Sequence, residues 1–74
     1  MSSPDRLVYM SNQIGKFFQS QGRDKAVPGI AERIKKFWDR RMRKAIFAHL
    51  DASGAGLDPF VHDAAASLKA MGGS

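Results

Sequence analysis

Residues 35–46 read KKFWDRRMRKAI. The fold turns on whether the chain runs through Phe37, Trp38 and Asp39 as one helix or breaks there. Lys35, Lys36, Arg40, Arg41, Arg43 and Lys44 are basic, Asp39 is the lone acid, and Phe37, Trp38, Met42 and Ile46 are large and apolar. Adjacent residues of a helix point about 100° apart, so Phe37 and Trp38 cannot both face one core if the helix continues. Asp39 offers the break. A short acidic side chain ahead of a helix accepts hydrogen bonds from backbone N–H groups that have no partner within the first turn. The reading is two helices joined at Asp39, with either one of Phe37 and Trp38 in the core and the other an exposed anchor, or both wrapped around the core and the neighbouring cations only solvating it.

Working outward, the helix from Arg40 places Met42, Ile46 and Leu50 on one face with Ala45 and Phe47 adjoining. It stops at DASGAG, residues 51–56, where Gly54 or Gly56 can take the left-handed conformation that closes a helix. Asp58 and Pro59 then restart the chain as cap and first helical residue. Phe60, Val61, Ala64, Ala65 and Leu68 form the inner side of a last helix. Upstream, SQGRDKAVPG at 20–29 reads as a loop broken by Gly22, Pro28 and Gly29. The second helix is expected to start near Val27 or Pro28, with Ile30, Ile34 and Phe37 as its stripe and Ala31 and Trp38 beside it. The first helix opens with Ser3 as cap, Pro4 and Asp5. Its stripe is Leu7, Met10, Ile14 and Phe17, with Phe18 beside them. Gly15 inside that stripe costs about 1 kcal/mol against alanine, which marks either a close approach by a neighbouring backbone or a tolerated weak spot. Short connections after the second and third helices predict that neighbouring helices pack against one another. The expected fold is all-α: one domain over residues 1–74, a small bundle of about four short helices, frayed at 1–3 and 71–74.

With 74 residues, such a domain is close to the limit of independent stability. A chain of this size buries roughly 7,000 Å² on folding. If about 60% of that is apolar, burial contributes roughly 100 kcal/mol, and ordering the chain costs about the same. A partner that covers apolar surface would therefore help. There is no cysteine, which rules out disulfides and thiolate-held metals or clusters as staples. No apolar run approaches the roughly 20 residues that span a bilayer, and Asp5 and Arg6 interrupt the N-terminal stretch where a signal peptide needs an apolar core. The protein is expected to be soluble and cytoplasmic, without a membrane partner.

Little in the chain points to catalysis. His49 and His62 are the only histidines, and they flank the glycine loop rather than sharing a helix face as a metal pair does. His49 is expected near a helix C-terminus, where positive charge is favoured. DASGAGLDPF resembles a calcium loop only in Asp51 and Ser53. Ala55 stands where a ligand is needed, and His62 takes the place of the closing glutamate. The stretch lacks the Gly-Lys-Ser/Thr of a phosphate cradle. No stand-alone enzyme is expected, and the chain itself is expected to bind no cofactor or metal.

The basic segment carries the strongest signal. Counting Arg33, seven of the twelve cations fall between residues 33 and 44. Net charge is +5. Such a stripe suits nucleic-acid phosphates or an acidic protein surface. A small basic helical nucleic-acid-binding protein, reading through a helix–turn–helix, is one alternative. The joint lacks the usual turn glycine, and Trp with Arg is enriched at protein interfaces. The expectation is therefore partner binding through Phe37, Trp38, Arg40, Arg41, Met42 and Arg43, some of which serve the core instead.

MSNQIGKFF at 10–18, KKFWDRRMR at 35–43, AHLD at 48–51 and GLDPFV at 56–61 occur in this order. Together they resemble the delta subunit of NAD-dependent, molybdenum-containing formate dehydrogenases over about residues 6–68. One departure is Arg40, where the family often has proline after the aspartate. The resemblance implies an accessory subunit without a redox centre of its own, supporting assembly, stability or cofactor insertion. The implied partners are a large catalytic subunit with molybdenum bis-pterin guanine dinucleotide and iron–sulfur clusters, a flavin subunit with FMN that reduces NAD, and a small iron–sulfur subunit. The complex so implied oxidises formate to carbon dioxide.

Overall fold

A computed structural model describes residues 4–72 and shows four helices. They are α1 (Pro4–Gln19), α2 (Arg23–Phe37), α3 (Arg40–Ala52) and α4 (Pro59–Ala70), and no strand occurs among the described residues. The chain is a small all-α bundle. Ser3, the expected first cap, lies outside the described residues, as do the rest of 1–3 and 73–74. Met71 and Gly72 close α4 in a hydrogen-bonded turn, with the Gly72 N–H donating to the Lys69 carbonyl.

The core is a cluster of apolar side chains around α2. Ala26, Ile30 and Ile34 are fully buried, and Trp38 continues the same four-residue spacing just past the helix end. Against them lie Ile46 and Phe47 from α3 and Val61, Ala64 and Leu68 from α4. Leu7, Val8, Met10, Ile14 and Phe18 of α1 cover the cluster.

α2 starts at Arg23, a turn earlier than the expected Val27 or Pro28. Ala26 lies four residues before Ile30 and extends the buried stripe backward, so burial favours one more helical turn. Gly22 makes the tight entry with a φ of 86°, leaving only residues 20–22 between α1 and α2. Pro28 consequently sits inside the helix. Its missing N–H leaves the Asp24 carbonyl without a helical donor, but Asp24 is exposed and water can serve it.

The expectation that neighbouring helices pack holds for α3 with α4 and fails for α2 with α3. α2 packs chiefly on α4 and α1, and touches α3 only weakly. The α2–α3 joint consists of two extended residues, Trp38 and Asp39. Such a joint sends α3 away from α2 and onto α1 and α4.

Gly15 marks a close approach, made by a side chain rather than a backbone. A Cβ there would stand 2.6 Å from Val61 Cγ2 of α4. Gly29 serves the α1–α2 contact in the same way, since its Cβ would stand 2.8 Å from the Phe18 ring. The two differ in what can yield. Val61 is fully buried and stiff at χ1, whereas Phe18 is only half-buried. Gly15→Ala gains about 1 kcal/mol of helix propensity and loses about 1–3 kcal/mol to overpacking. A net destabilisation is expected, larger than for Gly29→Ala, and urea unfolding of the two variants side by side checks it.

The loop between α3 and α4 is built on two left-handed glycines, Gly54 (φ 67°) and Gly56 (φ 83°). Gly54 N–H donates back to the His49 carbonyl. Asn12 of α1 clamps the loop with both ends of its amide: Nδ2 donates to the Gly56 carbonyl at 2.9 Å, and Oδ1 accepts from Asp58 N–H at 3.0 Å. Asp58 occupies the cap position of α4 with Pro59 following, as expected, but its side chain makes no capping hydrogen bond.

Candidate functional site

The segment 33–44 forms the end of α2, the joint and the start of α3. The Trp38 N–H donates to the Ile34 carbonyl and ends α2. Asp39 caps α3, its Oδ1 accepting from the Met42 N–H at 2.8 Å. Arg43 reaches back one turn, and its guanidinium donates to the carbonyls of Lys35 and Trp38. Those carbonyls lie at the negative end of α2, where a cation is favoured. Arg43 thereby locks the angle between the two helices.

The six residues expected to bind a partner divide on this geometry. Trp38 is 5% exposed and belongs to the core, while Phe37 beside it is 73% exposed. Met42 is half-buried and packs on the core, and Arg43 is half-buried at the joint. Arg40 and Arg41 are exposed and make no ion pair with any described residue. Phe37, Arg40 and Arg41 are thus the members that face outward.

Three residues outside that set complete the surface. Phe17, read from sequence as core, is 64% exposed, and Phe18 takes the inward place. Their rings meet edge to face at 5.1 Å. The Arg33 guanidinium carbon lies 5.4 Å from the Phe17 ring centroid, 5.8 Å from Phe18 and 5.8 Å from Phe37. α1 and α2 therefore bring three phenylalanines around one arginine. The signal was present in the adjacency of Phe17 and Phe18, which cannot share one helix face any more than Phe37 and Trp38 can.

The neighbouring acids are already engaged. Glu32 pairs with Lys36 at 2.9 Å one turn on, and the Lys36 ammonium holds its carboxyl below the usual glutamate range. Asp39 is occupied by its cap. The surface is left with a net excess of positive charge.

The histidines have structural duties. His49, in the last turn of α3, donates from Nε2 to the Ala55 carbonyl at 2.8 Å. The His62 ring packs on Gly54 of the loop, and its Nδ1 lies 3.6 Å from Asp63. Asp63 pairs with Arg23, tying α4 to the start of α2, and Lys69 pairs with Asp51, tying α4 to α3. No group of three or more histidine and acidic side chains able to hold a metal ion occurs among the described residues. No described helix is long and apolar enough to cross a membrane.

The weak contact between α2 and α3 also bears on nucleic-acid reading. A helix–turn–helix packs its two helices against each other so that the second is presented to the groove. Here the inner face of α3, Ile46 and Phe47, is spent on the core shared with α1 and α4.

Comparison with known proteins returned no matching curated protein and no matching solved structure. The family model of the NADH-dependent formate dehydrogenase delta subunit FdsD matches residues 6–65, which include most of α1 with its phenylalanine pair and the whole α2–α3 joint. The chain belongs to the FdsD family of formate dehydrogenase delta subunits.

Proposed function

We propose that this chain is a non-catalytic accessory subunit of a cytoplasmic NAD-dependent formate dehydrogenase. It binds the large molybdenum-containing subunit and supports assembly, stability or cofactor insertion. The flavin and small iron–sulfur subunits belong to the same complex in this reading, and the redox cofactors reside in those partners. The observation that carries the proposal is the delta-subunit match over residues 6–65. The uncompensated cations and the exposed Phe37 at the α2–α3 joint support it, because they suit an acidic protein surface. Phe37, Arg40 and Arg41 make contact in this reading. Trp38, Met42 and Arg43 act indirectly by holding the joint in shape.

The experiment is co-expression with the other three subunits, with and without this chain. Tagged wild type is expected to retain the large subunit through purification, and omission of the chain is expected to lower the yield of active, cofactor-loaded complex. Equal yield and activity without it would remove the accessory role. The nucleic-acid alternative is separated by titrating duplex DNA at two salt concentrations, where only weak, steeply salt-dependent binding is expected.

A further inference from the structure

We propose that Arg33, with Phe17, Phe18 and Phe37 around it, is a receptor for an acidic segment of the large subunit, in which a carboxylate is flanked by apolar side chains. The inference rests on the accessory-subunit reading and names the contact within it.

Arg33 is exposed and makes no hydrogen bond or ion pair with any described residue, and its guanidinium carbon lies 5.4–5.8 Å from all three ring centroids. The nearest acid in sequence, Glu32, is held by Lys36. A guanidinium held among aromatic rings loses less freedom on binding and keeps its fork for a bidentate carboxylate. The rings also lower the local dielectric once covered, which strengthens that pair.

The shape agrees. Phe18, Gly29, Glu32, Arg33, Lys36 and Phe37 line an open depression of about 260 Å³. That is below the roughly 300–1,000 Å³ typical of small-molecule and cofactor sites, but it accepts a protruding side chain. Its floor exists because Gly29 has no side chain, which lets the Phe18 ring lie directly on α2. Phe17 and Phe37 stand at its border, largely exposed, and offer apolar area to whatever flanks the carboxylate.

Charge selects the occupant. Lys36 lines the same depression, and the exposed Arg40, Arg41 and Lys44 follow in the chain, against only Glu32 and Asp39. A second copy would set two such faces against each other, and like charges in contact are costly.

The test uses the purified formate dehydrogenase lacking this subunit as the probe, with wild type, Arg33→Glu, Arg33→Lys and Phe37→Ser. Both Arg33 and Phe37 are exposed, so thermal melting of the free variants is expected to stay near wild type. Affinity is expected to fall about 30-fold or more for Arg33→Glu, as for an interface hot spot. Phe37→Ser should lose several-fold, and Arg33→Lys should recover only part of the loss because it lacks the fork. Wild-type binding with both Arg33→Glu and Phe37→Ser within about twofold would overturn the receptor and leave the accessory role standing. Failure of wild type itself to bind would overturn both. A dimer of the free chain that Phe37→Ser dissociates, or tight DNA binding lost in Arg33→Glu, would assign the face to a second copy or to nucleic acid and overturn the proposal.

Discussion

Trp38→Ala is expected to leave the isolated chain largely unfolded, while Phe37→Ala beside it folds with nearly wild-type stability. The two residues are adjacent aromatics on the same joint, yet one is in the core and the other in solvent. Removing a buried indole costs about 3–5 kcal/mol. A single core below roughly 70–80 residues seldom supplies more than about 3–5 kcal/mol in total, so the loss is comparable with the whole stability. Trp38 also closes the end of α2 and belongs to the same core cluster as Ile46 and Leu68. Far-UV circular dichroism and urea unfolding decide the matter. A Trp38→Ala protein with wild-type helicity and midpoint would show that the indole is not part of the core. The result also governs how docking is tested: loss of binding in Trp38→Ala would report unfolding, whereas Phe37→Ser reports the surface.

Ile30→Ala is expected to be the next most damaging change, at about 2–5 kcal/mol. Ile30 is fully buried under the contact between α1 and α4, its Cδ1 3.8 Å from the position a Cβ on Gly15 would occupy. α1 already meets Val61 closely at Gly15, so it cannot move inward to fill the space, and the cost of the cavity remains. The same geometry predicts coupling. In Gly15→Ala/Ile30→Ala, Val61 can retreat from the new methyl into the vacated volume, and the double variant should lose less than the sum of the single losses. Strict additivity in urea unfolding would show that Val61 has no such freedom.

Where sequence and structure agree, the controlling interactions are local. Asp39 caps α3 through a residue three positions on, Gly54 and Gly56 take conformations that glycine adopts without strain, and Pro59 opens α4. Val61, Ala64, Ala65 and Leu68 follow helical spacing within one element. The basic run could be counted directly. The motifs at 10–18, 35–43, 48–51 and 56–61 led to a delta-subunit resemblance that the family match over 6–65 bears out.

Where they part, the answer depends on positions of other helices. Spacing assigns an angle to Phe17, Phe18 and Phe37, but an angle becomes burial only where another helix stands opposite. Phe18 finds Gly29 of α2, Trp38 falls in line behind Ala26, Ile30 and Ile34, and Phe17 and Phe37 stay largely exposed beside Arg33, Phe17 also touching the Phe18 ring. The early start of α2 follows from burial of Ala26, which no loop-like composition at residues 20–29 could announce. From sequence alone came the four helices, the Asp39 cap of α3, the basic run and the family. Only the tertiary structure decided which aromatics left the core and gathered around Arg33, because backbone preference acts within a few residues while burial is set by elements far apart in the chain.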